Sequence, residues 1–169
     1  MVRFKRFTVN KMLSMKELDK KILRQLLKDA EQPIVDIAEK VGASRQTVSK
    51  KIEEFKKAGI IKEITARLDP EKFGLSVRAF VFIQEEPQDE AREENERKID
   101  GFPQVSKFFR LFGRYSGVLE VWTEDRDELT SLVKEIHELD GVKETETFIT
   151  HSTVKDEPEA PFLNELKTD

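Results

Sequence analysis

The sequence predicts an α+β protein in which an N-terminal (winged) helix-turn-helix domain is joined to a C-terminal βαββαβ domain of ferredoxin-like topology. Three observations predict this class. Apolar residues recur at helical spacing before residue 60, runs rich in Val, Ile and Phe follow residue 75, and the sign of the net charge changes between the two parts. The length of 169 residues fits one ordinary domain or two small ones.

Three short helices are expected in the first part of the chain. Apolar residues at helical spacing predict the first helix over residues 16–29. Pro33 suits the first turn of a second helix, and Gly42 can supply the left-handed turn that ends it. Ser44 is a good N-cap for a third helix over residues 45–58. Short helices joined by a tight glycine turn are typical of a helix-turn-helix.

The exposed face of the third helix indicates DNA binding. Val48, Ile52 and Phe55 form its buried stripe. Successive residues of a helix are rotated by about 100°, so the polar residues among positions 44–51, none of which is acidic, point away from this stripe. Arg and Gln can contact guanine and adenine edges, and Ser, Thr and Lys can contact bases or phosphates. The alternative is a three-helix module that contacts another protein. The candidate DNA-binding residues are Ser44, Arg45, Gln46, Thr47, Ser49, Lys50 and Lys51.

The second part alternates strands and helices in the order βαββαβ, which is that of a ferredoxin-like unit. Asp125 and Glu128 have the spacing of a capping box before the second of these helices. The acidic pair Glu85–Glu86 has no His or ligand-like neighbour and is interpreted as solvent-facing charge. Strands are expected at residues 76–84, 105–112, 118–123 and 142–154, with a helix at 88–100.

The two parts carry opposite charge. Residues 1–62 contain 16 Lys or Arg against 8 Asp or Glu, a net of +8, whereas residues 63–169 contain 14 against 26, a net of −12. A basic part favours a polyanionic partner such as nucleic acid. Segregation of charge on a solvated surface is the alternative.

The composition excludes several kinds of site. Cysteine is absent and only His137 and His151 occur, which removes disulfides, thiolate metal sites, cysteine nucleophiles and histidine-rich metal centres. We expect no metal and no cofactor. The apolar runs fall far short of the ~20 residues of a membrane span, and no secretory signal is evident. We therefore expect a cytoplasmic protein with no membrane partner.

The stretch from Leu18 to Gly74 resembles the N-terminal half of the Lrp/AsnC family, the feast/famine transcription regulators of bacteria and archaea. The resemblance is carried, in order, by "LDKKIL", "AEKVGAS", "AGII" and "LDPEKFG". Lys51 and Phe55 stand where the family commonly has Arg and Leu. The resemblance implies an archaeal regulator that binds double-stranded promoter or operator DNA.

The second part resembles the RAM domain of the same family, named for regulation of amino acid metabolism. "GRY", "DGV" and "TETFITHSTVK" carry this resemblance. It implies a homodimer that pairs its sheets, in some members extended to an octamer, and an amino-acid effector near the "GRYSG" hairpin. Ser116 stands where Asp is common, which implies weaker binding of the effector's amino group, a different effector or none. The implied effector contacts are Gly113, Arg114, Tyr115, Ser116, Thr145 and Thr147.

These observations divide the chain into five segments. The last segment either lies against a neighbouring protomer or is an unstructured end. The segments are a basic arm at 1–14, a helix-turn-helix domain at 15–62, a linker strand and loop at 63–75, a RAM-like oligomerisation and effector domain at 76–155 and an acidic tail at 156–169.

The leading hypothesis is a non-enzymatic DNA-binding transcriptional regulator that acts as a dimer or higher oligomer. One alternative is an enzyme, since sirohaem decarboxylases resemble Lrp/AsnC proteins in both parts. Those enzymes carry a histidine-bearing strand hairpin, whereas this chain has no His between residues 1 and 136. The other alternative is a stand-alone metabolite sensor, against which the basic N-terminal part argues.

Overall fold

The N-terminal part folds into the three expected helices, α1 (Glu17–Lys28), α2 (Ile34–Val41) and α3 (Arg45–Lys57). The structure is a computed structural model that describes residues 15–87 and 89–167. The predicted basic arm, residues 1–14, lies outside the described residues. The described chain forms two units: residues 15–66 with residues 155–167, and Arg67–Val154.

Local signals place the turn between α2 and α3. Gly42 has a φ of 69°, and its N–H contacts the carbonyls of Ala38 and Glu39. The Ser44 hydroxyl then accepts a hydrogen bond from the Thr47 N–H at 3.1 Å and so caps α3. The apolar stripes of the three helices meet in a core whose residues include Ile22, Ile37, Val48, Ile52 and Phe55.

The C-terminal segment belongs to this first unit. After a loop it forms α6 (Ala160–Glu165), and the following Leu166 is 5% exposed within the helix-turn-helix core. Sequence analysis left a contact with a neighbouring protomer or an unstructured end; residues 160–165 are helical, and Leu166 packs within the core of its own chain. Six residues are too few for a helical periodicity to be recognised.

The second unit has the predicted order, and the fold class is confirmed. Its four strands form one antiparallel sheet in the order β2-β3-β1-β4. β2 and β4 each end earlier than expected. The elements are β1 (Val77–Glu85), α4 (Asp89–Asp100), β2 (Val105–Arg110), β3 (Gly117–Thr123), α5 (Arg126–His137) and β4 (Val142–Ile149).

Within Arg67–Val154, the described helices α4 and α5 pack on one face of the sheet and not on the other. Ala79, Val81 and Ile83 alternate along β1 and are fully buried in a core that includes residues of α4, α5 and β3. Phe80 and Phe82, which alternate with them, lie on the opposite face, where Phe148 of β4 is 51% exposed. We call this opposite surface the open sheet face.

The linker strand that the sequence predicts is not formed in the described chain. Residues 62–69 are exposed and pair with no strand in the described chain, and a short 3₁₀ helix (Pro70–Phe73) precedes β1. Along the described ranges 15–87 and 89–167, no helix combines the length and the hydropathy that crossing a bilayer requires.

Candidate nucleic-acid interface and effector hairpin

The first two turns of α3 present a polar, cationic surface. The first turn holds no acidic residue, and the N-terminal backbone N–H groups add positive potential there. The Ser44 hydroxyl, which caps α3, also lies 2.8 Å from the Thr47 hydroxyl. Six of the seven candidate residues are exposed together: Ser44, Arg45, Gln46, Thr47, Ser49 and Lys50.

Lys51 differs from the other six. Its ammonium group lies 3.2 Å from Asp19 of α1 and 3.3 Å from Glu54, and its side chain is 26% exposed. The ion pairs with Asp19 and with Glu54 raise the pKa of Lys51. Two carboxylates already neutralise this ammonium group. The arrangement therefore favours a role in fixing α3 to α1 over contact with a phosphate.

The hairpin between β2 and β3 places Arg114 and Tyr115 over the open sheet face. The Tyr115 ring packs against Phe82 at 5.3 Å, and its hydroxyl donates a hydrogen bond to Glu146. The Arg114 guanidinium lies 5.1 Å from the centre of the Tyr115 ring and 3.4 Å from the Glu144 carboxylate. The hairpin therefore brings a cation, a phenol and two carboxylates together at one end of the sheet.

Thr145 and Thr147 lie on the opposite side of the sheet from this cluster. They pair with Ile83 and Val81, whose side chains enter the core beneath the helices. The Thr145 hydroxyl is 3.4 Å from Nδ1 of His137 on α5. Within one protomer, the structure therefore does not join the two threonines to Arg114 and Tyr115.

Ser116 is occupied by contacts within the protein. Its Oγ lies 3.1 Å from the Glu85 N–H, 3.1 Å from the Ile83 carbonyl and 3.0 Å from Oε2 of Glu85. The hydroxyl accepts from the Glu85 N–H, and its single proton can be donated either to the Ile83 carbonyl or to the Glu85 carboxylate. The arrangement favours a role for Ser116 in fixing the hairpin rather than in contacting an effector.

Glu85 is buried, which corrects the interpretation of Glu85–Glu86 as solvent-facing charge. Its residue is 7% exposed, and its carboxylate pairs with the Arg110 guanidinium and accepts a hydrogen bond from Asn95 Nδ2 at 3.1 Å. The Ile83–Glu85 alternation along β1 was the available signal, since it turns Glu85 toward the core.

An ion cluster lies among the aromatic residues of the open sheet face. Glu120 is 4% exposed and pairs with Arg78 and with Lys107, the latter at 2.7 Å. Burial alone would raise the pKa of Glu120, but the hydrogen bonds from Lys107 and Arg78 outweigh it, so the pKa is lowered. The Arg78 guanidinium also lies 5.2 Å from the ring centre of Trp122.

Among residues 15–87 and 89–167, no three His, Asp or Glu side chains are grouped to hold a metal ion. His137 and His151 are both exposed, the former on α5 and the latter after β4.

Comparisons with known proteins agree with this arrangement. Residues 15–62 match the winged helix-turn-helix DNA-binding family, and residues 78–160 match the Lrp/AsnC ligand binding domain. The regulatory protein AsnC of Haemophilus influenzae is 34% identical over 152 residues, which cover 89% of this chain and 95% of that protein. The HTH-type transcriptional regulator FL11 of Pyrococcus horikoshii is 29% identical over 146 residues, covering 86% and 95%.

A solved structure supports the same fold. The crystal structure of a transcriptional regulator from Neisseria meningitidis in complex with L-Met has a TM-score of 0.83 and 23% identity, covering 88% of this chain and 97% of that one. A protein that matches relatives along almost their whole length, through both a DNA-binding and a ligand-binding domain, shares their organisation. The chain belongs to the Lrp/AsnC family of DNA-binding transcriptional regulators.

Proposed function

We propose that this chain binds specific promoter DNA through the first two turns of α3 and that an amino acid or a related small molecule modulates this binding. The proposal depends above all on one observation: six exposed polar residues, none of them acidic, share the capped start of α3. Such helices enter the major groove with their N-terminal residues. In this assignment Arg45 and Gln46 read base edges, and Lys50 contacts phosphate.

Homodimer formation is supported by the open sheet face. Phe109 and Phe148 are 54% and 51% exposed on it, although large apolar side chains gain free energy when they leave water. A second copy of the same face would cover them and place two recognition helices in one assembly. Such a pair reads half-sites about 10 base pairs apart, or a multiple of that spacing. An octamer would contain four such pairs.

The effector is proposed to bind at the hairpin. A free amino acid is a zwitterion, so its site needs a cation for the carboxylate and an anion for the ammonium group. Arg114 supplies the first, and Glu144 and Glu146 supply the second within a few ångströms. The complex of the Neisseria regulator with L-Met supports this class of ligand. The remaining predicted contacts, Gly113, Ser116, Thr145 and Thr147, stay predictions.

We infer that the chain is not an enzyme and that it acts in the cytoplasm, where its DNA lies. The relatives reported above are named as regulators, and neither is named as a catalyst. His137, the histidine nearest to a predicted effector residue, contacts the hydroxyl of Thr145 and lies on an exposed helix surface. The cationic start of α3 argues equally against a sensor that does not bind DNA.

The test is a mobility shift with the protein's own upstream DNA and a scrambled duplex at ~50–200 mM salt. We expect wild type to retain the promoter preferentially at the higher salt. Arg45→Ala and Gln46→Ala should lose this preference, at a cost of about 1–3 kcal/mol each, because they remove base contacts. Lys56→Ala, at the far end of α3, is the control and should bind like wild type. A screen of amino acids against the retained complex then tests the effector.

Equal binding of both duplexes, abolished by salt, would contradict sequence-specific recognition. Promoter binding that Arg45→Ala and Gln46→Ala leave unchanged would contradict the assignment of the reading surface while leaving DNA binding itself intact.

A further inference from the structure

The C-terminal segment returns to the DNA-binding unit after the whole of the second unit has been traversed. Leu166 lies at 5% exposure in the core cluster of α1, α2 and α3, among residues that include Ile22 and Phe55. The two matched family regions end at residues 62 and 160, so Leu166 and most of α6 lie beyond both of them. The role of this segment therefore has to be derived from the structure.

The return of the chain gives the DNA-binding unit two covalent connections to the second unit (Arg67–Val154), which we call the ligand-binding unit after the family region that it matches. One follows Ala66 and leads into β1, and the other follows β4 and leads back at Lys155. A unit held by one flexible linker can turn about it, whereas a second connection closes a loop and limits that freedom. The second connection restrains the unit only if its far end is anchored, and the buried Leu166 is such an anchor.

Both connections leave the second unit from the same end of one strand pair. β1 and β4 are antiparallel neighbours, and Ala79 near the start of β1 pairs with Ile149 at the end of β4. Beyond the ladder, the Thr150 N–H donates to the Arg78 carbonyl at 2.8 Å. The Arg78 guanidinium also donates to the Thr153 hydroxyl at 3.3 Å. The chain segments that enter and leave this unit are therefore hydrogen-bonded to each other.

The opposite end of the same strand pair carries the effector hairpin. Ser116 contacts Ile83 and Glu85 at the end of β1, and Tyr115 and Arg114 contact carboxylates near the start of β4. Two neighbouring strands thus run from the hairpin to both connections. Coupling between distant sites is carried by hydrogen-bonded networks and rigid elements of this kind, and the experiments below test whether it occurs here.

We propose that residues 155–167 are an integral part of the DNA-binding unit. α6 and Leu166 complete its core and anchor the second connection, and through this connection the β1–β4 strand pair and the helix-turn-helix influence each other. Coupling between two sites is reciprocal, so binding of DNA must alter the exit end of the strand pair to the same degree as that end alters DNA binding. This reciprocity allows a test without any effector. Only the further claim that an effector at the hairpin acts on DNA binding through this connection rests on the proposed function.

The anchor is tested with Leu166→Ala, with Phe162→Ala as the matched control because Phe162 of α6 is 58% exposed. Amide hydrogen exchange in α1–α3 should accelerate in Leu166→Ala, and the unfolding midpoint of that unit should fall by roughly 5–15 °C. Amide exchange in the four strands, β1 to β4, should stay as in wild type. Phe162→Ala should match wild type throughout. Unchanged exchange of α1–α3 in Leu166→Ala would overturn the anchor.

The connection is tested by inserting a flexible Gly-Ser segment of about ten residues after Glu157, which lengthens the connection but leaves α6 able to dock. In wild type, specific DNA should slow exchange of the Thr150 amide at least about fivefold. The insertion should abolish this change while promoter affinity stays within about twofold. The same segment appended after residue 169 is the control and should preserve the change.

Each outcome decides one claim. If DNA leaves the Thr150 amide of wild type unchanged, or if the insertion preserves the change, the coupling is wrong. If the coupling holds while no amino acid alters promoter binding, the effector proposal fails and the second connection stands.

Discussion

At the scale of single residues, Ser44 combines an observed role with a predicted one, and the two can be separated by mutation. Its hydroxyl caps α3 by accepting from the Thr47 N–H, and it is also a predicted DNA contact. Ser44→Ala should remove the cap and lower the free energy of unfolding by about 1 kcal/mol. Ser44→Asp should keep the cap, since Asp is an equally good N-cap, but should weaken DNA binding because a carboxylate then faces phosphate. Denaturant unfolding and a DNA titration on both variants test this, and equal DNA affinity of Ser44→Asp and wild type would contradict the predicted contact.

Lys50 and Lys51 are neighbours with different expected behaviour. Lys50 is exposed, so Lys50→Ala should reduce the slope of log affinity against log salt by about 0.9, the value for one phosphate contact. Lys51 is held by Asp19 and Glu54, and its raised pKa means that this pairing stabilises the fold at neutral pH and is lost only as the pH rises through that pKa. Lys51→Ala should therefore lower stability and leave the salt slope nearly unchanged. A slope change as large as that of Lys50→Ala would contradict this.

At the scale of secondary-structure elements, an ion cluster joins β1, β2 and β3 through Glu120, and we expect its stabilising effect to depend on pH. The pKa of Glu120 is lowered below its ordinary value of 4.5, so its pairing with Lys107 and Arg78 stabilises the fold above that value and is lost as the pH falls through the lowered pKa. Glu120→Gln should be less stable than wild type at neutral pH, and the difference should shrink below about pH 4.5. Thermal unfolding of both proteins at several pH values tests this, and a difference that is constant with pH would contradict it.

Elements with a strong local signal could be predicted from the sequence. The apolar stripe of α3, the Gly42 turn and the Ser44 cap are all local, and the structure has them where the sequence predicts them. The sides of the sheet are set by pairing register over long sequence separations, so the separation of Thr145 from Tyr115 could not be read from the chain. The burial of Leu166 depends on a cavity made by residues more than a hundred positions away.

At the scale of the whole molecule, we expect dimerisation through the open sheet face to raise the affinity for promoter DNA. Phe148 stacks edge-on against Phe82, with 5.6 Å between ring centres, and still exposes 51% of its surface. Phe148→Glu would place a charge where a second copy is expected to cover the ring, and burying an unpaired charge is costly. We expect this variant to sediment as a monomer, with Val154→Glu as the control because Val154 is 97% exposed.

Loss of the dimer should also weaken promoter binding, although Phe148 lies in the ligand-binding unit and α3 is unchanged. Two recognition helices in one assembly bind the second half-site intramolecularly, and this advantage is worth about 100-fold or more in affinity. Promoter affinity of Phe148→Glu should therefore fall by about that factor, while the weak affinity for a single half-site should equal that of wild type. Sedimentation and DNA titrations on one-site and two-site duplexes separate the possibilities. A monomeric variant with undiminished two-site affinity would show that each chain reads DNA alone, and a dimeric variant would place the interface on another face.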